Sequence, residues 1–215
     1  MLNLIFSDPL LLVIYIAALL LAITVHEFSH ALAADKLGDP TPRVQGRLTL
    51  NPIKHLDPIG TVALILVGFG WGKPVQFDPY NLENPRRDSA LISLAGPASN
   101  LIVATIVALL FRLLINSGPI VEITTMMFSV IIYLNVLLAI FNLVPIHPLD
   151  GGKILIGLLP KNIASDWDRI LNQYGTIILL LLVLPIFGGA PLISKFISPT
   201  ISFILNLLFP YPSMI

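Results

Sequence analysis

The stretch Val25-His26-Glu27-Phe28-Ser29-His30-Ala31 contains the pattern H-E-x-x-H. On a helix, residues four apart share a face, so His26 and His30 project side by side. Two imidazoles so placed can chelate one zinc ion, and the adjacent carboxylate of Glu27 can serve as a general base. A catalytic zinc usually takes three protein ligands and keeps a position open for water. The third ligand here must be another histidine or a carboxylate, because the 215-residue chain has no cysteine. The acidic residues near apolar stretches are Asp8, Asp35, Asp57, Asp88, Glu122 and Asp150. Asp150 is the best placed of them. It closes a long apolar run, and Pro145 and Pro148 break the helix just before it and can aim its carboxylate inward. Gly151 and Gly152 follow, where backbone can take unusual angles or approach another segment closely.

The elements that position these residues are apolar. Hydrophobic residues make up 56% of the chain and charged residues only 11%, against about 25% charged in a soluble domain. The shortage points to lipid as solvent. Formal net charge is zero and no Lys/Arg-rich run occurs, which excludes nucleic acid as a partner. Disulfides are ruled out, and the redox compartment is not readable. Met1–Asp8 lacks the basic n-region of a signal peptide, and no small-residue cleavage site follows. With no polar linker, residues 1–215 read as a single membrane-embedded domain. Its catalytic core is expected at about 10–152 and its C-terminal helices at about 171–209.

The fold class expected is an all-α polytopic membrane protein with about five transmembrane helices. Spans are predicted at Leu10–Ala34, Ser89–Leu114, Ile120–Phe141, Gly175–Phe187 and Leu192–Phe209, the last weakened by Lys195 and Pro199. The apolar run Ile59–Trp71 is too short for a sure span and reads as re-entrant or as a short sixth segment. Arg43–Leu50 has β character, so a small hairpin or edge is expected there. Lys153–Asp168 reads as a polar connection with interfacial amphipathic character. Basic residues set the orientation. Asp35–Asp57 carries four Lys/Arg, and Lys73–Asp88 and Lys153–Arg169 carry three each, whereas the turns Asn116–Pro119 and Gly188–Pro191 carry none. The basic segments are expected on the cytoplasmic side, with the N-terminus outside and the histidines near the cytoplasmic face. Two of them flank Ile59–Trp71, which would then enter and leave on one side.

His26-Glu27-Phe28-Ser29-His30 together with Asn142-x-x-Pro145-x-x-Pro148-Leu149-Asp150-Gly151-Gly152 resembles the site-2 protease family of intramembrane zinc metalloproteases. Gly46-Arg47-Leu48-Thr49-Leu50-Asn51-Pro52, Asp57-Pro58-Ile59-Gly60-Thr61 and Ala95-Gly96-Pro97-x-x-Asn100 look like its compact prokaryotic members, without added PDZ or CBS domains. The resemblance covers about Leu10 to Gly152. It implies that the protein cleaves transmembrane helices of substrate proteins in a prokaryotic cell membrane, with Zn2+ held by His26, His30 and Asp150. Glu27 would take a proton from water and later pass it to the leaving amine. Asn142 would lie near the substrate carbonyl, and Asn100 near the site. His147 departs from the family, which commonly has a small or apolar residue there. The plain reading is an interfacial histidine facing water, and the alternative a titrating partner near Asp150.

Two other functions remain in view. A divalent-metal transporter also uses buried His and Asp, but it does not need a glutamate beside the first ligand and does need a continuous polar path. A non-catalytic binding relative would not keep His26, Glu27, His30 and Asp150 together. Partners other than the substrate helix and the bilayer are not legible, and a homo-oligomer stays open. Asn135 is expected to pair helices through a hydrogen bond, and Gly96 and Pro97 to let helices approach closely. His55 and Glu122 are expected to be solvated, and Trp71 and Tyr80 to sit in an interfacial belt. A helical peptide bond is shielded by its own hydrogen bonds, so a substrate must unwind. Gly68–Val75 is the expected extended edge for it.

Overall fold

The computed structural model describes residues 8–67, 70–117, 122–185 and 190–209. Among them are eight α-helices: α1 (Pro9–Lys36), α2 (Thr41–Val44), α3 (Pro58–Val67), α4 (Pro85–Ser117), α5 (Glu122–Asn142), α6 (Asp150–Leu158), α7 (Lys161–Val183) and α8 (Leu192–Leu208). Short 3-10 turns occupy Pro52–His55 and Pro79–Asn81. The fold is all-α. Asp8 starts α1 by accepting a hydrogen bond from the Leu11 N–H at 2.9 Å, with Pro9 at the first helical position. The helix stops where Gly38 takes φ 103°, a left-handed angle that favours glycine. Its 28 residues are about 42 Å long, enough to cross about 30 Å of hydrocarbon.

Among the described residues three helices are long and apolar enough to cross a membrane: α1, α4 over Pro85–Ile115, and α5. These account for three of the five expected spans, and the other two fall on helices that do not reach that length and apolarity among the described residues. The apolar stretch from Gly175 continues a helix that already began at Lys161, so the expected fourth span is the second half of α7. Its nine residues to Val183 rise only about 14 Å, and residues 186–187 lie outside the described residues. The expected fifth is α8, a shorter apolar helix of 17 residues. The hairpin expected at Arg43–Leu50 is corrected: no strand occurs among the described residues. Pro40 and Pro42 frame the single turn α2, and the following donors are used locally. The Arg47 N–H reaches the Pro42 carbonyl at 2.8 Å and the Thr49 N–H the Arg47 carbonyl at 2.9 Å, which leaves no register for a ladder.

The ten-residue α3 rises about 15 Å, half the hydrocarbon thickness. A Cβ on Gly60 would stand 3.0 Å from the Trp71 carbonyl carbon, and one on Gly70 would stand 2.6 Å from Leu64 Cβ. Residues 70–71 thus lie back against the first turns of α3, and Gly72 forms a bridge with Leu56. Both ends of the segment are together, as an entry and exit on one side require. Of the expected edge, residues 68–69 lie outside the described residues, and residues 73–78 are non-helical.

An apolar core joins α4, α5 and α8 through Ala104, Ala108, Phe111, Ile132, Val136, Ile201 and Leu205. Arg112 on α4 reaches the end of α8, donating to the carbonyls of Leu207 at 2.6 Å and Leu208 at 3.2 Å. Those carbonyls are left over by the helix, so the guanidinium supplies a cap. A second cluster, Ala34, Leu82 and Ile92, fixes the end of α1 beside the start of α4.

Asp39 fastens the loop after α1. Its fully buried carboxylate accepts from Thr41 N–H and hydroxyl, from the Asp78 N–H at 2.7 Å and from the Asn81 amide at 2.8 Å. Burial alone would raise its pKa, but these hydrogen bonds outweigh it and hold the carboxyl below its ordinary value. The ionised form is therefore favoured on folding, and its contribution is present above about pH 4 and lost as pH falls through the lowered folded value. Asp39→Ala is expected to lower stability in detergent at pH 7 by about 1.5–3 kcal/mol. Thermal melts should show the gap to the parent narrowing below about pH 4; a gap constant with pH would contradict the assignment.

Candidate metal centre

The two histidines lie on a stripe of α1, Ala22-His26-His30, spaced four apart. The facing stripe of α4 is Ile92-Gly96-Asn100, also spaced four apart. The two run antiparallel. Asn100 donates its amide to the Ala22 carbonyl at 3.0 Å and accepts at Oδ1 from His26 Nδ1 at 2.7 Å. His30 Nδ1 donates to the Ile92 carbonyl at 2.7 Å. Gly96 lies between them. A Cβ there would stand 2.6 Å from His30 Cε1 and 2.7 Å from His26 Cε1, so both rings rest on bare backbone. The rings meet edge to face at 4.6 Å.

These contacts decide which nitrogen carries the proton. A carbonyl only accepts, so neutral His30 must bear its proton on Nδ1. The Asn100 Nδ2 group faces two acceptors, the Ala22 carbonyl and Asn135 Oδ1 at 2.9 Å. Asn135 is held in turn by donating to the Ile131 carbonyl at 2.9 Å. The Asn100 amide cannot flip without opposing acceptor to acceptor, so its oxygen faces His26 and Nδ1 carries that proton too. Both Nε2 atoms are left as bare lone pairs.

Asp150 completes the group. It stands in the first turn of α6, where a helix tolerates negative charge. Its Oδ2 lies 3.1 Å from His26 Nε2 and 3.2 Å from His30 Nε2, and the two Nε2 atoms are 3.0 Å apart. The turn that delivers it needs its glycines. A Cβ on Gly151 would stand 2.5 Å from the Leu143 carbonyl carbon, and one on Gly152 2.9 Å from the His147 backbone nitrogen. With both imidazoles neutral, as metal ligands must be, three electron-pair donors face one another at about 3 Å, an arrangement that repels itself unless a cation lies between. Tetrahedral ligands at about 2.0–2.1 Å from zinc stand about 3.3 Å from one another. The donor set fits that ion closely.

Glu27 lies beside this group with its side chain largely covered. Its Oε2 accepts the Val75 N–H at 2.8 Å, and Arg47 Nη2 is 3.9 Å away. Arg47 is buried and donates to the carbonyls of Lys54 and Lys73. It ties the 52–55 turn to the 73–75 segment and so holds Val75 against Glu27. In the sequence Arg47 stands among the loop cations and in the Gly46–Pro52 motif, with no role of its own. The signal for more was a lone charge within Gly46-Arg47-Leu48, which needs a partner if that loop is buried. Burial lowers its pKa, which the Glu27 charge partly offsets.

The other candidates divide. Asn100 touches His26 directly, whereas Asn142 donates to the Leu138 carbonyl of its own helix at 3.0 Å. Asn135 pairs α5 with α4 and also steadies Asn100. The expectation of a solvated His55 is corrected: it is fully buried, with Nε2 2.8 Å from the Thr49 carbonyl, filling the space under the 49–55 loop. The expectation that His147 faces water is corrected as well. Its ring packs on Gly152 and its backbone and Cβ on Gly175, with Nε2 3.6 Å from Asp168 Oδ1. Burial lowers its pKa, against the opposing pull of Asp168. Glu122 is exposed, and Trp71 and Tyr80 are exposed as expected of belt residues.

Residues 113–182 match the model of peptidase family M50. YwhC of Bacillus subtilis, which carries a zinc metalloprotease name, is 41% identical over 187 residues, covering 84% of this chain and 85% of its own. Rip2 of Mycobacterium tuberculosis, similarly named, is 32% identical over 187 residues, 82% of this chain and 69% of its own. Zinc metalloprotease MJ0392 of Methanocaldococcus jannaschii is 27% identical over 80% of this chain and 47% of its own. No solved structure gives a significant match.

The link from Asn135 through Asn100 to His26 makes a specific demand on metal affinity. Replacing Asn100 by Leu leaves His26 free to rotate or change tautomer. Titration against a chelator is expected to show zinc held about 10–100-fold more weakly. Unchanged affinity would remove Asn100 from the centre.

Proposed function

The chain belongs to peptidase family M50, the site-2 protease family, and on that premise we propose that it hydrolyses peptide bonds within transmembrane segments of membrane-protein substrates. It is a zinc metalloprotease and an integral membrane protein. In this reading residues 1–215 act as a single protease domain in the bilayer of a prokaryotic cell, with the active site toward the cytoplasmic side. The observation that carries it is the convergence of His26 Nε2, His30 Nε2 and Asp150 Oδ2 within 3.0–3.2 Å, on helices apolar enough to lie in lipid. His30 is six residues from the end of α1, about 9 Å. That depth suits a peptide bond near one membrane surface.

His26, His30 and Asp150 would hold the zinc. When bound, zinc supplies a water of pKa about 7 and polarises the substrate carbonyl. Glu27 is the general base. Val75 and Arg47 keep its Oε2 engaged, so Oε1 is the oxygen that takes the proton and later returns it to the leaving nitrogen. Residues 70–75, non-helical and tied to Glu27 through Val75, would supply a backbone edge against which an unwound substrate can align as a strand. A buried ligand pair on α1, capped by the carbonyls and amides of α4, also keeps bulk water away from the reacting bond.

Glu27→Gln separates the base from the ligands. The purified variant is expected to keep its zinc and to cleave a helical membrane substrate at least about 100-fold more slowly. Cleavage at the parent rate would overturn the assignment of the base, and parallel loss of zinc would mean that Glu27 acts in binding rather than in proton transfer.

A further inference from the structure

Lys153 stands one turn beyond Asp150 on α6. Its side chain is exposed, and its Nζ lies 4.4 Å from the centroid of the Phe77 ring. Phe77 is two residues beyond Val75, whose N–H holds Glu27, and it packs against the Ala34, Leu82 and Ile92 cluster. Lys153 therefore joins the helix that carries a metal ligand to the segment that holds the base. Partial loss of water lowers its pKa, while the charges of Asp150 and Glu27 pull the other way. Both carboxylates of the site thus act on this ammonium.

Neither carboxylate is free to pair with it. Glu27 is engaged by the Val75 N–H and faces Arg47 Nη2 at 3.9 Å, and Asp150 faces the two imidazoles. Among the described residues no carboxylate oxygen lies within ion-pair distance of Lys153. An aromatic face holds a cation only weakly at an exposed site, and a flexible four-carbon stem lets the ammonium swing to a better partner. An incoming carboxylate is that partner. A strand laid along residues 70–75 and reaching the three-donor group must pass the first turn of α6, where Asp150 and Lys153 both stand. Lys153 is about 4.5 Å beyond Asp150 along the helix and a strand advances about 3.3 Å per residue, so the residue it meets lies within about three of the cut bond. An acidic side chain there is tolerated because the centre lies near one membrane surface rather than at the midplane.

We propose that Lys153 is a specificity-determining residue that pairs with an Asp or Glu side chain of the substrate close to the cut bond. This rests on the protease reading, so binding and cutting are measured separately. Binding uses the zinc-loaded, full-length Glu27→Gln protein in neutral detergent micelles at pH 7. The probes are fluorescent transmembrane peptides with amidated C-termini, identical except for a single Asp or Asn moved stepwise along the sequence. At a few adjacent positions Asp is expected to bind about fivefold more tightly than Asn, and the difference should shrink in about 1 M salt. Adding Lys153→Met, which keeps the apolar stem, should erase the difference; Lys153→Arg should keep it and Lys153→Glu reverse it. If Lys153→Met fails to hold zinc, Lys153→Gln takes its place. Equal binding of Asp and Asn peptides at every position, or an Asp preference that survives the loss of the Lys153 charge, overturns the proposal. An equal loss of affinity for both peptides in Lys153→Met would assign Lys153 to holding Phe77 and overturn it as well. The same peptides are then given to the protein with Glu27 intact. A Lys153-dependent Asp preference in peptides that are never cut overturns the protease reading and leaves the pairing standing, whereas cutting with no such preference does the reverse.

Discussion

The structure turns on three electron-pair donors that face one another when both imidazoles are neutral. Two imidazole nitrogens and a carboxylate oxygen at 3.0–3.2 Å would repel in an apolar interior. Much of the protein holds that arrangement in place. The Ile92 carbonyl and the Asn135–Asn100 pair fix the tautomers from behind. Gly96 brings the helices close enough for the rings to lie on backbone. Gly151 and Gly152 let the turn before α6 press Asp150 inward. Each of these arrangements makes sense as preparation for a cation.

The same device solves two problems at once. Polar groups inside a membrane helix must be satisfied internally. Here Asn100, Asn135 and both histidines satisfy one another and spare backbone carbonyls, and in doing so they set the ligand geometry. Helix association without a strong hydrophobic drive rests on close packing of small residues and on such hydrogen bonds. The antiparallel stripes Ala22-His26-His30 and Ile92-Gly96-Asn100 provide both. On the other side of Glu27, buried Arg47 gathers the 52–55 turn and the 73–75 segment, so Glu27 and that segment share a single support.

Much of the site was legible because its residue types are rare in apolar surroundings. A helix puts His26 and His30 together by its period alone, and Asp150 was the carboxylate with both the right side and the right flanking glycines. What was not legible depends on how distant segments meet. Arg47 and the Val75 N–H have no local pattern that ties them to Glu27. Asn142 has an attractive position in a motif, yet its amide turns back onto its own helix. Helix type was clear from hydropathy, but helix ends were not. Polarity did not stop α7 at the start of its apolar half, because its buried face continues through Ala164, Leu171, Gly175 and Leu179. The hairpin failed for a related reason: prolines and local turns used the donors that alternation alone would assign to a ladder.

The most direct measurement is the zinc K-edge absorption spectrum of the purified, full-length protein. The account expects one zinc per chain, with two imidazole nitrogens and carboxylate oxygen at about 2.0–2.2 Å. A protein that takes up no zinc, or a zinc whose spectrum lacks imidazole scattering, would contradict it.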